Sequence, residues 1–357
     1  MNSLVLGTKE YPLGTNTDDS SPSGGMELYV EELVEHLKRY SDITLITRKF
    51  TSTKKHEKKN NVDIWRVSWL NGFLLRNPTF NLASFFKSLR LDYDVIISHG
   101  EVANFFGLLA SRIRRKPIVM VNHGLAAEQN QYNVVLRKGF SLIDRITYSR
   151  ADAVITHSPS KLPRNVSYNL IKPGFGKSRL KRDTSLRKKY KTKGKIIVFT
   201  GRLTKAKGIE YLIRGLKGTC FIVGDGPERS RLEKIAKQEK ANVIFTGFRK
   251  DINRFLSIAD AFVLPSFSES LNYSMLEAAY MHVPIISTDL GILPKNAFIP
   301  IDKKSPKSIT NAIEKLHDPE LRKNITKNAY EFTKQFDWNI AAKNYYQVLK
   351  SIVKEYK

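Results

Sequence analysis

Two glutamates stand eight residues apart in the segment FSESLNYSMLEAAYMHVP at 267–284. Glu269 lies in a serine-rich turn, and Glu277 lies in a run whose spacing predicts a helix. The apolar segment before them, ADAFVLP, is typical of a buried strand that ends at Pro265. In an open parallel sheet, ligands bind beyond the carboxyl ends of the strands, where the loops enter the following helices. The two carboxylates are therefore candidates for binding a ligand, with Asn272 as the N-cap of the second helix.

Two basic residues occupy a similar position after another predicted strand. In TGRLTKAKGIEYLI at 200–213, Arg202 follows the strand and Lys207 approaches a helix that begins near Gly208. The planar fork of arginine and the compact charge of lysine both suit phosphate oxygens, and a helix N-terminus adds partial positive charge. The pattern predicts a diphosphate site, and a solvated basic loop is the alternative.

A glycine pair and a histidine are weaker candidates in the first half of the chain. Gly24 and Gly25 precede a predicted helix in SPSGGMELYVEEL, and His123 follows the predicted strand PIVMVN. Glycine lets backbone amides approach a ligand, although a helix N-terminus that needs glycine for steric reasons is an equally good explanation. A single histidine is more often a packing or hydrogen-bonding residue than a catalyst. Its position at a strand end keeps His123 as a candidate.

Several familiar site patterns are absent from the sequence or incomplete in it. IVGDGPERSRLE has Gly224 and Gly226, but Arg229 stands where a dinucleotide fingerprint needs a third glycine, so the segment predicts a tight strand-to-helix turn. The seven histidines show no zinc spacing, and no G-x-S-x-G nucleophile elbow occurs. The DYD segment at 92–94 precedes its strand and is rejected as a metal site. We expect no bound metal.

Short β-branched runs alternate with helical patterns along the chain, which indicates parallel sheets with crossover helices. The expected fold class is α/β, with two doubly wound domains at 1–174 and 175–337. An amphipathic helix pattern at 338–357 is free to pack back on the first domain. The strands expected in the first half are 3–7, 43–47, 62–69, 94–98, 117–122 and 152–157.

The chain of 357 residues is strongly basic, with 60 Lys and Arg against 34 Asp and Glu and a formal net charge of +26. Such a surface attracts anions, which include nucleic acid, acidic lipid headgroups and phosphorylated substrates. The excess is densest at 177–195, where ten basic residues accompany one Asp. A solvated linker between the domains is the favoured interpretation of that segment.

The cellular setting is indicated by cysteine content and hydropathy. Cys220 is the only cysteine, so no internal disulfide can form, which fits a reducing compartment. No apolar run approaches the roughly 20 residues that a bilayer-spanning helix needs. We expect a cytoplasmic protein, with peripheral attachment to the cytoplasmic membrane face as a further hypothesis.

Five segments together resemble the family 4 (group 1) glycosyltransferases with the GT-B fold. These segments are GRLTKAKG, FIVGDGPERSRLE, VIFTGFRKD, ADAFVLPSFSESLNYSMLEAAYMHVPIIST and SGGMELYVEEL. The resemblance extends from about residue 3 to the final helix, and the second half carries its more specific motifs. It implies two Rossmann-like doubly wound domains with a C-terminal crossover helix, the first on the acceptor side and the second binding the donor.

The resemblance implies roles for individual residues. Arg202 and Lys207 match the family residues that hold a diphosphate, Glu277 matches the glutamate that binds ribose hydroxyls, and Glu269 matches the one that contacts the donor sugar. His123 matches a histidine near the reacting sugar, which makes Glu269, His123, Arg202 and Lys207 the expected catalytic group. The remaining donor-binding positions implied are Gly247, Phe248, Arg249, Ser270, Leu271, Asn272 and Tyr273. Gly24 and Gly25 match the family's glycine loop near the phosphate and acceptor.

The implied activity is transfer of a sugar from a nucleoside-diphosphate sugar to an acceptor hydroxyl with retention of anomeric configuration. The acceptor class is a glycan, a glycolipid or a lipid-linked saccharide. The cationic groups would stabilise the departing nucleoside diphosphate, and a phosphate oxygen would take the acceptor proton. The scheme requires no metal and no cofactor besides the donor substrate.

Three alternatives stay open beside this interpretation. A hydrolytic acid/base pair formed by Glu269 and Glu277 would need carboxyls about 5–5.5 Å apart for retention or about 6.5–9.5 Å apart for inversion. A basic nucleic-acid-binding protein would explain the charge but none of the strand-end motifs, so nucleic acid is not the expected partner. A membrane-binding role is suggested by the aromatic and basic segment at 68–90, for which a helix packed on the sheet is the alternative. The basic run at 112–116 would reinforce attraction to an anionic surface.

Overall fold

The computed structural model describes residues 1–15, 25–72, 75–124, 134–159, 162–163, 165–190, 192 and 194–356, apart from the side chains at 134–137, 140 and 178. Two compact units make up this part of the chain. Unit 1 comprises Met1–Gly174 together with Phe336–Lys357, and unit 2 comprises Phe175–Gln335.

Unit 1 is built on one sheet, whose described strands run in the order β3-β4-β2-β1-β5-β6-β7-β8. The strands are β1 (Asn2–Leu6), β2 (Asp42–Arg48), β3 (His56–Lys59), β4 (Val62–Val67), β5 (Val95–His99), β6 (Ile118–Asn122), β7 (Ala153–Thr156) and β8 (Asn169–Leu170). All pairings are parallel except that of β3 with β4. The central strands β5 and β6 are buried along their whole length, as expected of a parallel sheet covered on both faces.

The helices of unit 1 are α1 (Gly25–Leu37), α2 (Arg76–Ser88), α3 (Glu101–Arg114), α4 (Val134–Tyr148) and α12 (Trp338–Tyr356). The connections that contain α2, α3 and α4 cross the sheet in one direction, whereas the connection through α1 crosses in the other. Right-handed crossovers therefore place α2, α3 and α4 together on one face and α1 on the opposite face. The observed packing agrees, because α2 lies against α3, α3 lies against α4, and α12 lies against α1.

The C-terminal helix α12 is anchored to unit 1 by aromatic residues. The Tyr29 and Tyr345 hydroxyls share a hydrogen bond of 2.6 Å, and the ring of Trp338 meets the edge of Tyr29 with centroids 5.1 Å apart. A Cβ atom at Gly174 would lie only 2.3 Å from the Trp338 backbone nitrogen, so this crossing accepts glycine alone. The helix is thus fixed to α1 by buried contacts rather than by charge.

Unit 2 is a second parallel sheet, with the described strands in the order β11-β10-β9-β12-β13-β14. The strands are β9 (Ile196–Thr200), β10 (Thr219–Val223), β11 (Asn242–Gly247), β12 (Ala261–Leu264), β13 (Ile285–Thr288) and β14 (Ile299–Ile301). The helices are α5 (Leu186–Lys189), α6 (Ile209–Arg214), α7 (Arg229–Gln238), α8 (Ile252–Ile258), α9 (Tyr273–Tyr280), α10 (Pro306–Lys315) and α11 (Pro319–Thr333). Among the described helices of both units, none is long and apolar enough to cross a membrane.

The basic segment at 177–195 corrects one sequence-based interpretation. It was expected to be a solvated linker, but it belongs to unit 2 and is held there by specific contacts. Leu186 is buried in the core of the unit, and the ring of Tyr190 lies 5.0 Å from that of Phe221. Asp183 forms an ion pair with Arg254 at 3.2 Å. The basic residues at 179, 181, 182 and 187–189 remain exposed to water while apolar residues between them pack, and net charge alone did not reveal this alternation.

Candidate functional site

The turn between β12 and α9 presents the glutamate pair. The side chain of Asn272 accepts a hydrogen bond from the Met275 backbone nitrogen at 2.9 Å, and α9 begins at Tyr273. This confirms the predicted N-cap. The cap fixes the direction in which the chain enters α9, and Glu269 stands three residues before it. The other predicted donor-binding positions in the turn, Ser270 and Leu271, are half-buried, as is Tyr273.

A close approach of two loops brings the predicted diphosphate lysine to this turn. Gly208 has a φ of +62° and immediately follows the 3₁₀ turn Lys205–Lys207. A Cβ atom there would lie 2.3 Å from the Pro265 carbonyl oxygen, which ends the β12 segment. Only glycine satisfies both the backbone conformation and the space. The glycine therefore determines how near Lys207 can stand to the glutamate turn.

Lys207 and Glu269 form a preorganised pair in unit 2. The Lys207 Nζ donates to Glu269 Oε1 at 2.5 Å, and Asn272 Nδ2 donates to the same oxygen at 3.2 Å. Both members of the ion pair are largely shielded from solvent, with side chains 20% and 11% exposed. Lysine has three N–H donors, so the ammonium can hold this carboxylate and still donate to an anion. The carboxylate is oriented from two sides before any ligand arrives.

Glu277 lies inside α9, where its surroundings differ from those of Glu269. Burial raises the pKa of the Glu277 carboxyl from its ordinary value of 4.5 to about 7, although the charge of Arg179 opposes that rise. The two carboxylates are thus held in different electrostatic states, one bound to a lysine and one weakly compensated. This arrangement suits the binding of hydroxyl groups, because a ligand can donate hydrogen bonds to the weakly compensated carboxylate.

Arg202 is positioned by the G-x-G segment that the sequence showed as an incomplete fingerprint. A Cβ atom at Gly224 would lie 2.0 Å from the Gly201 carbonyl oxygen, and one at Gly226 would lie 2.5 Å from that of Leu203. The two glycines therefore let the β10–α7 loop pack directly on the backbone on either side of Arg202. The Arg202 side chain is exposed beyond β9. This structural role agrees with the prediction of a tight turn.

Three of the predicted donor-binding positions, 247–249, lie at the end of β11. Gly247 has a φ of +71° and turns the chain at the strand end. Phe248 then projects into solvent with 74% of its surface exposed, the highest exposure among the large apolar side chains described. Arg249 is held by a fork of hydrogen bonds, from Nε at 2.8 Å and from Nη2 at 2.7 Å, to the carboxylate of Asp251. An exposed aromatic ring on an ordered turn can stack on a planar ligand.

In unit 1, His123 belongs to a histidine cluster that sequence spacing did not reveal. His99 ends β5, His123 follows β6 and His157 follows β7, so neighbouring strands bring them together. The ring of Tyr29 meets that of His123 edge-on, with centroids 4.7 Å apart. The sequence does carry a signal, since each histidine directly ends or follows a buried strand, in IISHG, MVNHG and VITHS. Of these three positions, only His123 is among the candidates from the sequence.

The protonation of the cluster follows from burial. Desolvation lowers the pKa of His99 to about 3 and that of His123 well below its ordinary value, so both rings are neutral. His99 Nδ1 and His123 Nε2 lie 2.9 Å apart and must share one proton. Among the described residues, His99 Nε2 is buried without a hydrogen-bond partner, and a bare acceptor costs less there than an orphaned N–H. The shared proton therefore belongs to His99 Nδ1, and His123 carries its own on Nδ1.

The remaining predicted positions are Gly24 and Gly25. Gly25 is the exposed first residue of α1, whereas Gly24 lies outside the described residues. Within the described ranges, no group of three His, Cys, Asp or Glu side chains could hold a metal ion. The histidine cluster is thus hydrogen-bonded and aromatic in character rather than a ligand set.

Two sequence families match the chain, one in each unit. Glycosyl transferases group 1 matches residues 181–332, and Glycosyltransferase Family 4 matches residues 23–161. An uncharacterized glycosyltransferase of Methanocaldococcus jannaschii is 26% identical over 373 residues, which cover 92% of this chain and 94% of that protein. The N,N'-diacetylbacillosaminyl-diphospho-undecaprenol alpha-1,3-N-acetylgalactosaminyltransferase of Campylobacter jejuni is 25% identical over 317 residues, covering 80% of this chain and 84% of that one.

One of the solved structures has a similar fold. The Anabaena protein Alr3699/HepE, in complex with UDP-glucose, superposes with a TM-score of 0.77 at 18% sequence identity, covering 98% of this chain and all of that one. The two Rossmann-like sheets are those of the GT-B fold, as predicted. With matching family descriptions in both units, the chain belongs to the group 1, family 4 glycosyltransferases.

Proposed function

We propose that this glycosyltransferase moves a sugar from a nucleoside-diphosphate sugar to an acceptor hydroxyl, with retention of anomeric configuration and without a metal. The observation that carries the proposal is the arrangement of Lys207, Glu269 and Asn272 at the start of α9. One lysine there stands beside a carboxylate that is already oriented. A charged leaving group and a hydroxyl-bearing ring are the two ligand parts that such a pair suits.

Each part of the donor has a matching group in unit 2. Arg202 and Lys207 offset the diphosphate charge, and the capped N-terminus of α9 adds partial positive charge nearby. Glu277 accepts hydrogen bonds from the ribose hydroxyls, which gives the weakly compensated carboxylate its donors. The exposed ring of Phe248 stacks on the base. The UDP-glucose complex of the Anabaena relative supports this class of donor.

The chemical step follows from the same groups. The bond between the anomeric carbon and the phosphate oxygen breaks, and its electron pair leaves with the nucleoside diphosphate, whose growing negative charge Lys207 and Arg202 stabilise. The acceptor oxygen forms the new bond to the anomeric carbon on the same face, and its proton passes to an oxygen of the departing phosphate. Glu269 holds the sugar hydroxyls during this exchange. The roles of His123, Gly24 and Gly25 near the reacting sugar and acceptor rest on the family resemblance.

The acceptor in this proposal is a lipid-linked saccharide, used at the cytoplasmic face of a membrane. The name of the Campylobacter relative includes a diphospho-undecaprenol-linked saccharide. The alignment covers 80% of this chain and 84% of that protein. The net charge of +26 favours reversible attraction to an anionic lipid surface. Such attraction would help an enzyme whose acceptor is in a membrane, because it raises the concentration of the enzyme near the acceptor.

A donor assay in EDTA tests the proposal. UDP-, GDP- and ADP-sugars are incubated singly with the protein, and release of the nucleoside diphosphate and the anomeric configuration of the product are followed by NMR. We expect one donor to react at the same rate with and without EDTA, because lysine and arginine supply the positive charge. Glu269→Gln should lower that rate with little change in nucleotide affinity. Activity that disappears in EDTA and returns only with Mg²⁺ or Mn²⁺, or an inverted product, would refute this mechanism.

A further inference from the structure

The helices α2, α3 and α4 of unit 1 carry an unusual concentration of exposed apolar side chains. Sixteen large apolar residues are exposed in the described part of the chain, and nine of them lie on these helices or, for one, at the N-cap of α2. They are Leu75, Leu82, Phe86, Phe105, Leu109, Ile113, Leu142, Ile143 and Ile146. In unit 2, by contrast, the only one among the described residues is Phe248. We call the outer side of α2, α3 and α4 the three-helix face.

The exposed apolar residues follow helical spacing, so they form stripes rather than isolated points. On α3, Phe105, Leu109 and Ile113 stand four residues apart and point the same way. On α2, Leu82 and Phe86 repeat the same spacing. Because α3 packs between α2 and α4, the stripes lie side by side. A contiguous apolar patch of this kind marks a binding surface on a monomer.

Polar or small residues occupy many of the inner positions of the same helices, beside the apolar Phe80, Leu108 and Tyr148. Asn81, Ser84 and Ser88 are among the four buried residues of α2. On α4 the buried positions include Asp144, whose carboxylate oxygens have no hydrogen-bond partner among the described residues, and Thr147. A helix in water keeps its polar stripe outside and its apolar stripe inside. The three-helix face therefore suits a surrounding less polar than water.

The charge on these helices indicates which kind of partner can bind the three-helix face. The segments 75–90, 101–116 and 134–150 contain eleven Lys and Arg against two acidic residues, Glu101 and Asp144. A second copy of the same face would bring these cations together, which opposes a symmetric dimer. Nucleic acid would accept the cations but not the leucine, isoleucine and phenylalanine stripes. An anionic lipid bilayer accepts both, with cations at the headgroups and apolar side chains in the acyl boundary.

We infer that the three-helix face docks on anionic lipid membranes. This deepens the proposed function, on which it rests for its purpose, because it names the surface that would bring the enzyme to a lipid-linked acceptor. It also extends the sequence-based hypothesis about 68–90 to α3 and α4. Of that segment, Phe80 is buried, and Phe73 and Leu74 lie outside the described residues. Six of the nine exposed apolar residues on the three-helix face lie outside the segment.

Vesicle co-sedimentation with matched variants tests the docking. Vesicles of phosphatidylcholine alone are compared with vesicles of equal parts phosphatidylcholine and phosphatidylglycerol, at low and high salt. Ile113→Ser is paired with Ile340→Ser, because these isoleucines are 62% and 58% exposed on helices of the same unit and only the first lies on the three-helix face. We expect wild type to bind the mixed vesicles, Ile113→Ser to bind roughly tenfold more weakly, and Ile340→Ser to bind as wild type does.

A charge comparison completes the experiment. The double variant Arg90→Glu with Arg145→Glu should lose at least about 25-fold in binding, since each cation near an acidic surface is worth roughly fivefold. The double variant Lys343→Glu with Lys350→Glu removes the same charge from exposed positions on α12 and should lose far less. High salt should weaken binding of the wild type.

Three outcomes would overturn the docking surface. The first is that the protein binds both kinds of vesicle equally or binds neither. The second is that the two variants of a matched pair lose vesicle binding equally. The third is a dimer that Ile113→Ser dissociates, which would mean that a second copy of the chain covers the three-helix face. Calorimetry of UDP, GDP and ADP binding to the same variants separates the docking surface from the proposed function. Normal binding of one nucleotide without vesicle binding would reject only the docking surface, whereas vesicle binding without binding of any of the three would reject only the donor chemistry.

Discussion

Replacing Lys207 by methionine should lower the rate of sugar transfer about 10²–10³-fold in a protein that still folds. The ammonium is the group nearest to Glu269 and is expected to meet the leaving diphosphate, where negative charge grows in the transition state. Methionine preserves the length of the side chain but offers neither charge nor donor. Loss of the cation also leaves the largely shielded Glu269 carboxylate oriented from one side, by the Asn272 amide, which misaligns the sugar-binding group.

Lys205→Met is the matched control for this change. Lys205 lies in the same 3₁₀ turn but is exposed, so its variant should retain wild-type transfer. The double variant Lys207→Met with Glu269→Gln should be less impaired than the product of the single effects, because the two side chains act as a pair. Single-turnover rates with saturating donor measure the effect. A Lys207→Met rate within about threefold of wild type would contradict the assignment of the pair.

Replacing Glu277 by glutamine should weaken nucleotide binding about 10- to 100-fold, because hydrogen bonds to a charged acceptor are stronger than those to a neutral one. The wild-type affinity should also depend on pH. The pKa of Glu277 is about 7 without ligand, and ribose hydroxyls donate to the ionised form. Affinity should therefore rise as pH increases through this value. Glu277→Gln should remove that dependence.

The same substitution should stabilise the protein without ligand. A carboxyl whose folded pKa is raised loses its proton first in the unfolded chain, so its contribution lowers stability as pH rises from 4.5 to about 7. Glutamine cannot ionise, and the Tm of Glu277→Gln should exceed that of wild type by roughly 2–4 °C above neutral pH, with no gain near the lower value. Calorimetry of UDP binding across pH, with thermal melts of both proteins, measures these effects. Equal affinity and equal Tm in the two proteins would remove Glu277 from the site.

The parts of the site that depend on neighbouring residues in the sequence could be predicted. The Asn272 cap was predictable because a capping residue stood directly before a helical pattern, and the strand-end positions of Arg202 and Lys207 followed from the alternation of strands and helices. The pairing of Lys207 with Glu269 was not predictable from spacing. It depends on the approach of Gly208 to the Pro265 carbonyl, which is a contact between distant segments.

Elements with a mixed or weak hydrophobic pattern could not be predicted from the sequence. Among the described side chains of α4, Leu142, Ile143 and Ile146 are exposed while Asp144 and Thr147 are buried, so its pattern does not indicate a water-facing helix. The antiparallel strand β3 is four residues of mainly charged sequence, which carry no strand signal. The histidine cluster required knowledge that β5, β6 and β7 are neighbours in the sheet. In each case the missing information was tertiary: which segments lie together, and which solvent they face.

Calorimetry of UDP binding to Arg202→Ala is the most direct test of the central claim, that unit 2 binds a nucleoside diphosphate through its strand-end cations. GDP and ADP are titrated in parallel, and Lys205→Ala serves as the basic-residue control from the neighbouring turn. The account predicts that wild type and Lys205→Ala bind one of these nucleotides with equal affinity, and that Arg202→Ala binds it at least about tenfold more weakly, since it loses a charge-assisted contact. Equal binding by wild type and Arg202→Ala, or no binding of any of the three nucleotides, would contradict the account.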